Sequence, residues 1–440
     1  MTQAKLKAIA TFFGSASEET RSSLSISSAL GCGDQKIELV LTQAETTPAA
    51  DKKSRTDSSE MEAIRDGAEY GNPVDQMRLG MAYHSGHGVE QNDQKAAKWF
   101  LKSAKQGDAR GEHAIGVMLL HGRGVKKDMA AAFRYFHLAA EQGYAPAQRE
   151  LGEAYAAGSN VKKNMRTAMK FFRLAAEQED AEAQALLGLA LYEGRGVKKN
   201  HVDAAKWFRM AAELNHAGAA YALGIALWTG DGVAQDEYEA AKYFHRAALL
   251  GHAAAAIMLG LMLIRGEIVD KNKTEAIRWF ACAAAAGHPH AHFLLGQAHW
   301  NGDGVEKDLS KAVDRFATGA QLGDASAQNY LGLCFCSGTG VGKDEAEAAR
   351  LFRASAEQGN PEAQNNLAVA LQEGEGVRKN LAKAVFWYRK AAEQGYPLAQ
   401  YNLALSLQNG TGVEQDKVEA AKWFRKAAAQ GFRAPKDNLG

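Results

Sequence analysis

Four histidines, His288, His290, His292 and His299, fall within twelve residues. His288 and His292 are four apart and His292 and His299 seven apart, so on a helix three imidazoles would share one face. That spacing suits a transition-metal site, but no carboxylate or thiolate stands in the same turns. Solvent-exposed or hydrogen-bonded imidazoles are the preferred reading. Four cysteines, Cys32, Cys282, Cys334 and Cys336, have no metal-ligand spacing. Cys334 and Cys336 diverge by roughly 200° on a helix, which leaves reduced, buried thiols in a reducing compartment as the expectation.

A third group is more regular. Asn92, Asp128, Asn164, Asn200, Asp236, Asn272, Asp308, Asp344, Asn380 and Asp416 stand thirty-six residues apart, and no other residue type occurs at that place. Ten carboxylate or amide ligands in a row is one reading. The better one is ten helix N-caps, because short Asn and Asp side chains accept hydrogen bonds from the free amides of a first helical turn. No nucleophile elbow, phosphate-cradling loop or paired metal motif is present in the sequence, so no catalytic residue, cofactor or metal is expected.

The elements that position these residues follow from the same period, which runs ten times from Gly71 to Gln430 without insertion or deletion. Numbering each repeat from its first residue, with Gly71 as position 1, position 9 is always Leu or Ile. With positions 5 and 13 it forms the i, i+4, i+8 stripe of a first helix, A. Gly86 and its nine equivalents at position 16 close helix A, since glycine enters the left-handed conformation at little steric cost. A second glycine at position 18 completes a G-x-G-V loop in eight repeats. Asn160 replaces it once and tolerates positive φ, whereas Ile268 predicts a differently shaped loop.

Helix B then begins after the Asn/Asp cap, with alanine at position 26 and an aromatic residue at position 30 in every repeat. The adjoining position 29 is aromatic except at Arg315 and Leu351. These rings read as core filling between hairpins. Stacked helical hairpins of this period form an all-α, right-handed α/α superhelical solenoid.

The repeat pattern, Ala-x-Ala-x-x-x-Leu-Gly-x-x-Tyr-x-x-Gly-x-Gly-Val followed by the Asp cap, Ala, Trp-Phe, Ala-Ala and Gln-Gly, resembles the Sel-one-like repeat (SLR) family, relatives of the tetratricopeptide repeats. The resemblance covers residues 71–430. It implies a noncatalytic scaffold or adaptor in signalling or regulation, or, in bacterial members, an envelope or host-contact protein. A cysteine-rich branch of the family is linked to β-lactam binding and hydrolysis. That branch relies on paired cysteines in each repeat, which this chain lacks.

Outside the array, residues 1–58 read as a disordered arm rich in Ser and Thr. Its start faintly mimics a secretory signal ending near residue 16, though a cytoplasmic location is preferred over secretion. Residues 59–70 match the end of a helix B and would cap the first hairpin. Residues 431–440 would begin a partial C-terminal capping helix. Lys plus Arg number 52 against 51 for Asp plus Glu, a formal charge of +1. No nucleic-acid partner is implied. No stretch approaches the roughly 18 to 20 apolar residues of a membrane span.

With the constant positions assigned to folding, a partner should be read where repeats differ. Helix A is expected to line the concave surface, and its positions 7, 11 and 14 turn apolar in repeats four to seven. They include Leu189 and Tyr192; Tyr221, Ile225 and Trp228; Ile257, Leu261 and Ile264; and Phe293 and Trp300. Gln76, Gln148, Gln184, Gln328, Gln364 and Gln400 recur at position 6 but are replaced by Ala220, Ala256 and His292 in the middle. We therefore expect an apolar trough flanked by amide-bearing segments and able to hold an extended or helical peptide or protein segment. The alternative is that the rings pack against the next repeat's helix A.

Overall fold

The computed structural model describes residues 50–266 and 271–432, with side chains from Glu60 onward. Among these residues every regular element is helical. The expectations for the first forty-nine residues, Ile268 and the segment after Phe432 lie outside the described residues. The chain forms two compact units that divide between Arg246 and Ala247.

The local rules operate as the period predicts. Helix A spans thirteen residues, as in Ala217–Thr229 of repeat five, and ends on a position-16 glycine whose φ lies between 69° and 83° in all ten repeats. Helix B begins one residue after the Asn/Asp row. Each of the ten side chains accepts the backbone N–H three residues on, from 2.8 Å at Asp416 to 3.2 Å at Asn164 and Asn200. A cap of this kind contributes about 1 kcal/mol to its helix. Helix A has its own, more varied caps. His216 accepts from the amide of Ala219 at Nδ1, 3.0 Å, whereas Tyr144, His288 and Tyr396 cap without a side-chain bond.

Packing explains the glycine at position 10, present in repeats one to eight and replaced by Ala368 and Ala404 in the last two, and the glycine at position 18, present in eight repeats. The position-30 ring, such as Phe244, lies against the position-10 glycine of the same hairpin. A Cβ on Gly224 would sit 2.7 Å from that ring. Burying such a ring contributes about 2 kcal/mol, and the missing Cβ is what admits it. The position-18 glycine has positive φ and also meets the preceding hairpin: a Cβ on Gly232 would stand 2.2 Å from the carbonyl oxygen of His201. Asn160 holds φ 59° at the equivalent place. The ring at position 29 is more exposed than its neighbour in seven repeats, whereas in the last Trp423 is buried and Phe424 half-buried. At position 29 Lys102 Nζ lies 3.8 Å over Trp99 and Lys426 Nζ 3.9 Å over Trp423.

The array is preceded by the helix Ala50–Glu69, whose Met61 and Ala68 are buried against Leu79 and Ala82 of the first hairpin. The helix begins nine residues before the expected boundary at residue 59. No described helix is long and apolar enough to cross a membrane.

Candidate functional site

In the unit ending at Arg246, helix A of repeat four (Ala181–Glu193) and helix A of repeat five (Ala217–Thr229) carry five of the expected contact residues. Leu189 is buried, 5% exposed. Tyr192 is half-buried and already engaged. Its hydroxyl donates to Asp231 Oδ2 at 2.9 Å, and its ring stacks on His201 with centroids 4.6 Å apart. His201 Nδ1 bonds the other oxygen of Asp231. Burial, reinforced by the Asp231 bond, pushes the Tyr192 phenol up to about 12. Tyr221 is likewise raised to about 12 by burial, with its ring 5.9 Å from Phe244. Ile225 and Trp228 remain half-buried on the helix-A face.

The unit beginning at Ala247 holds the other three. Ile264 is half-buried against the cluster of Leu259, Leu263 and Ala276. Phe293, 8% exposed, packs edge-on to Tyr330 of the next repeat's helix A at 5.1 Å and lies 6.0 Å from Phe316. Trp300 is half-buried, 6.3 Å from Phe316. Phe293 thus packs against the next helix A, and Leu189 is equally withdrawn from solvent. Tyr192, Tyr221, Ile225, Trp228, Ile264 and Trp300 keep part of their surface in water.

The glutamine row is not a flank of any trough. Gln76, Gln148, Gln184, Gln328, Gln364 and Gln400 are all buried. Each donates from Nε2 to a carbonyl at the end of the preceding helix, as Gln364 does to Ala356 O at 3.2 Å. Five of them also accept at Oε1 from a second glutamine thirty residues later, as from Gln394 Nε2 at 2.8 Å. These paired amides fasten hairpins together. In repeat two Glu112 takes the first place and accepts from Gln142 at 2.8 Å, with burial holding its carboxyl above the usual range.

The histidines do not converge. His290 Nδ1 meets Asp324 Oδ2 at 3.0 Å, while His288, His292 and His299 each leave Nδ1 buried without a hydrogen bond. Burial lowers His288 and His292 from the ordinary imidazole range. Among the described residues no three His, Cys, Asp or Glu side chains come together as metal ligands. Cys334 is buried and its thiol is pushed up to about 11 by that burial, but Cys282 is exposed, contrary to the expectation of buried thiols throughout.

Repeated, capped hairpins in register define an all-α solenoid. The Sel1 repeat matches this chain ten times in succession, from residue 73 to residue 432, and the chain belongs to that family. Among solved structures, a protective antigen of uropathogenic Escherichia coli with an SLR fold shares 34% identity. The alignment covers 84% of this chain and 79% of that one, with a TM-score of 0.73. A Sel1 repeat protein of Oxalobacter formigenes shares 32% identity over 56% of this chain and 96% of its own, with a TM-score of 0.52. A search of curated proteins found no match. Sel1 repeat proteins are generally protein–protein interaction scaffolds, and their solenoid fold is typically noncatalytic.

Proposed function

We propose that this chain is a noncatalytic interaction scaffold, acting in signalling or regulation, that takes a peptide or protein partner on its helix-A face. The contact residues form one set in each unit, Tyr192, Tyr221, Ile225 and Trp228 with Leu189 beneath them in the first, and Ile264 and Trp300 with Phe293 beneath them in the other. The observation that carries this reading is the partial exposure of Trp228 and Trp300, large rings at the same repeat position on helices whose opposite face is already filled. Partly exposed aromatic residues beside a packed core are what anchor a partner at an interface. The Tyr192 hydroxyl is already bonded within the chain, so apolar contact dominates there.

Site-directed photo-crosslinking tests this reading. A benzophenone side chain at Ile225 or Trp300 should capture the partner, whereas one at Val202 or Val418, both exposed on helix B, should not. The double variant Trp228→Ala, Trp300→Ala should weaken capture at least tenfold with little change in thermal unfolding. Gross destabilisation would make the rings core residues and remove the proposal's support.

A second reading, an exported or envelope protein that binds a host or cell-wall component, is favoured by the description of the similar E. coli protein as a protective antigen. Mass spectrometry of the cellular protein separates the two. A mature N-terminus just after residue 16 supports export, and an intact Met1 in the cytosolic fraction opposes it.

A further inference from the structure

The formal charge of +1 hides an uneven distribution. Residues 123–138 and 159–174, the loops and following helix-B turns of repeats two and three, carry nine Lys or Arg and a single acid, Asp128. The same stretches of repeats seven and eight, 303–318 and 339–354, carry six cations and seven acids. All nine cations are exposed, and among the described residues none of them has an ion pair or a side-chain hydrogen bond. Asp128 is already engaged as an N-cap, accepting the Ala131 amide at 2.9 Å.

Other repeats show how such cations are normally met. At position 28, Lys206 Nζ lies 2.9 Å from Asp203, Lys242 Nζ 2.9 Å from Glu239 and Arg350 Nη2 2.6 Å from Glu347, each acid three residues earlier on the same helix. Repeats two and three place Ala131 and Thr167 there, which leaves Arg134 and Lys170 bare. At position 21, Lys343 Nζ lies 2.8 Å from Glu345. Met129 and Met165 stand where that acid would be, so Lys127 and Lys163 are bare too.

These cations form one face within a single unit. Helix B of repeat two spans Met129–Glu141 and helix B of repeat three spans Met165–Ala176. The ring of His137 on the first lies 6.2 Å from Phe171 on the second, edge-on, so the two helices adjoin. Arg134 and Leu138, and likewise Lys170 and Leu174, are four apart and share a helix face. Both leucines are 46% exposed. Glu141 and Glu177, exposed three residues further on, bound the face at its far end. It stops at repeat four, where Asp203 neutralises Lys206.

Uncompensated like charges on one surface repel each other and attract an anion. The exposed leucines decide which kind. A sugar–phosphate backbone has no apolar group to place on them, and a flat anionic bilayer would press its headgroups against Glu141 and Glu177. A narrow strand meets neither difficulty. We infer that this face of repeats two and three docks an acidic peptide segment of a partner protein, with its carboxylates on the lysines and arginines and its apolar side chains on Leu138 and Leu174. The surface belongs to helix B and its preceding loop, and it stands or falls independently of the helix-A face.

The probe is fluorescein-labelled Glu-Leu-Glu-Glu-Leu-Glu-Glu-Leu-amide, titrated with the full chain and followed by fluorescence anisotropy at about 0.15 M salt. Saturable binding is expected, at least tenfold weaker when every Glu of the peptide is replaced by Gln and at least threefold weaker when every Leu is replaced by Ser. The double variant Lys162→Glu, Lys163→Glu should weaken the acidic peptide at least fivefold. Arg378→Glu with Lys379→Glu, at the same exposed loop positions of repeat nine, should leave it unchanged. No saturable binding to the native chain, equal affinity for the first double variant, or an equal loss with the second overturns the inference. A serine peptide that binds as tightly overturns the role of the leucines. Displacement of the peptide by an equimolar oligothymidylate, or by phosphatidylserine vesicles at matched charge, overturns the assignment to an acidic peptide.

Discussion

Repeats eight to ten and repeats five to seven have the same hairpins and helix-B caps, but they are tied differently. In repeats eight to ten, Gln328, Gln364 and Gln400 bond the carbonyls of Ala320, Ala356 and Ala392 and receive Gln358, Gln394 and Gln430. In repeats five to seven the same two positions read Ala220 and Leu250, Ala256 and Ala286, and His292 and Leu322. Both members of the pair disappear together. A buried amide that loses its partner costs more than an apolar pair of similar size, so a half-pair is the least favourable arrangement. Repeat four shows one: Gln184 Oε1 is buried without a partner because Leu214 stands where a glutamine would donate. Repeat five substitutes a different tie there. Arg246 Nη2 donates to Glu213 O at 3.1 Å and to Asn215 Oδ1 at 3.0 Å.

The contrast can be broken at its tied end. Gln364→Leu removes two hydrogen bonds and should lower the local opening free energy of repeat nine by about 2 kcal/mol, read by native-state hydrogen exchange. Unchanged exchange across Pro361–Glu373 would mean that the amide pairs are ornamental.

A smaller effect is expected from completing the half-pair. Leu214→Gln should supply the missing donor to Gln184 and raise protection in helix A of repeat four by about 1 kcal/mol. Should protection fall instead, the half-exposed Leu214 is worth more as an apolar contact than the bond it prevents.

The smallest change concerns Glu112. Its carboxyl binds a proton more tightly in the folded chain, so its contribution to stability is present at low pH. That contribution is lost as pH rises through the unfolded value near 4.5 and the higher folded one. Glu112→Gln should therefore gain less than about 1 kcal/mol at pH 7, and the gain should shrink toward pH 4. A gain that is independent of pH would point to packing and away from ionisation.

What could be read from the chain alone was whatever acts over one turn. The Asn/Asp caps and the closing glycines need only their own helix, and all ten of each behave as the period predicts. The position-18 glycine was understood only in part, because the carbonyl of His201 that crowds Gly232 is thirty-one residues away. The glutamines were misplaced for the same reason: Gln76 looks like a surface amide until Gln106 is seen to reach it at 2.7 Å. A signal did exist, since glutamine at position 36 accompanies glutamine at position 6 in five repeats and is absent through repeats four to seven. Leu189 and Phe293 differ from Trp228 and Trp300 by a fraction of a helical turn, which no periodicity resolves.

The close seat of each position-18 glycine on the hairpin before it also bears on how such a gene can change length. Gly232 fits against His201, and Gly304 against Lys273, by the same offset. Excising or duplicating one whole thirty-six-residue unit presents every loop with an equivalent seat at the new junction. Any other length moves the position-18 glycines off these seats and brings bulkier residues against the neighbouring backbone. Unequal recombination is thereby filtered by sterics, and an uninterrupted period is the record such a filter would leave.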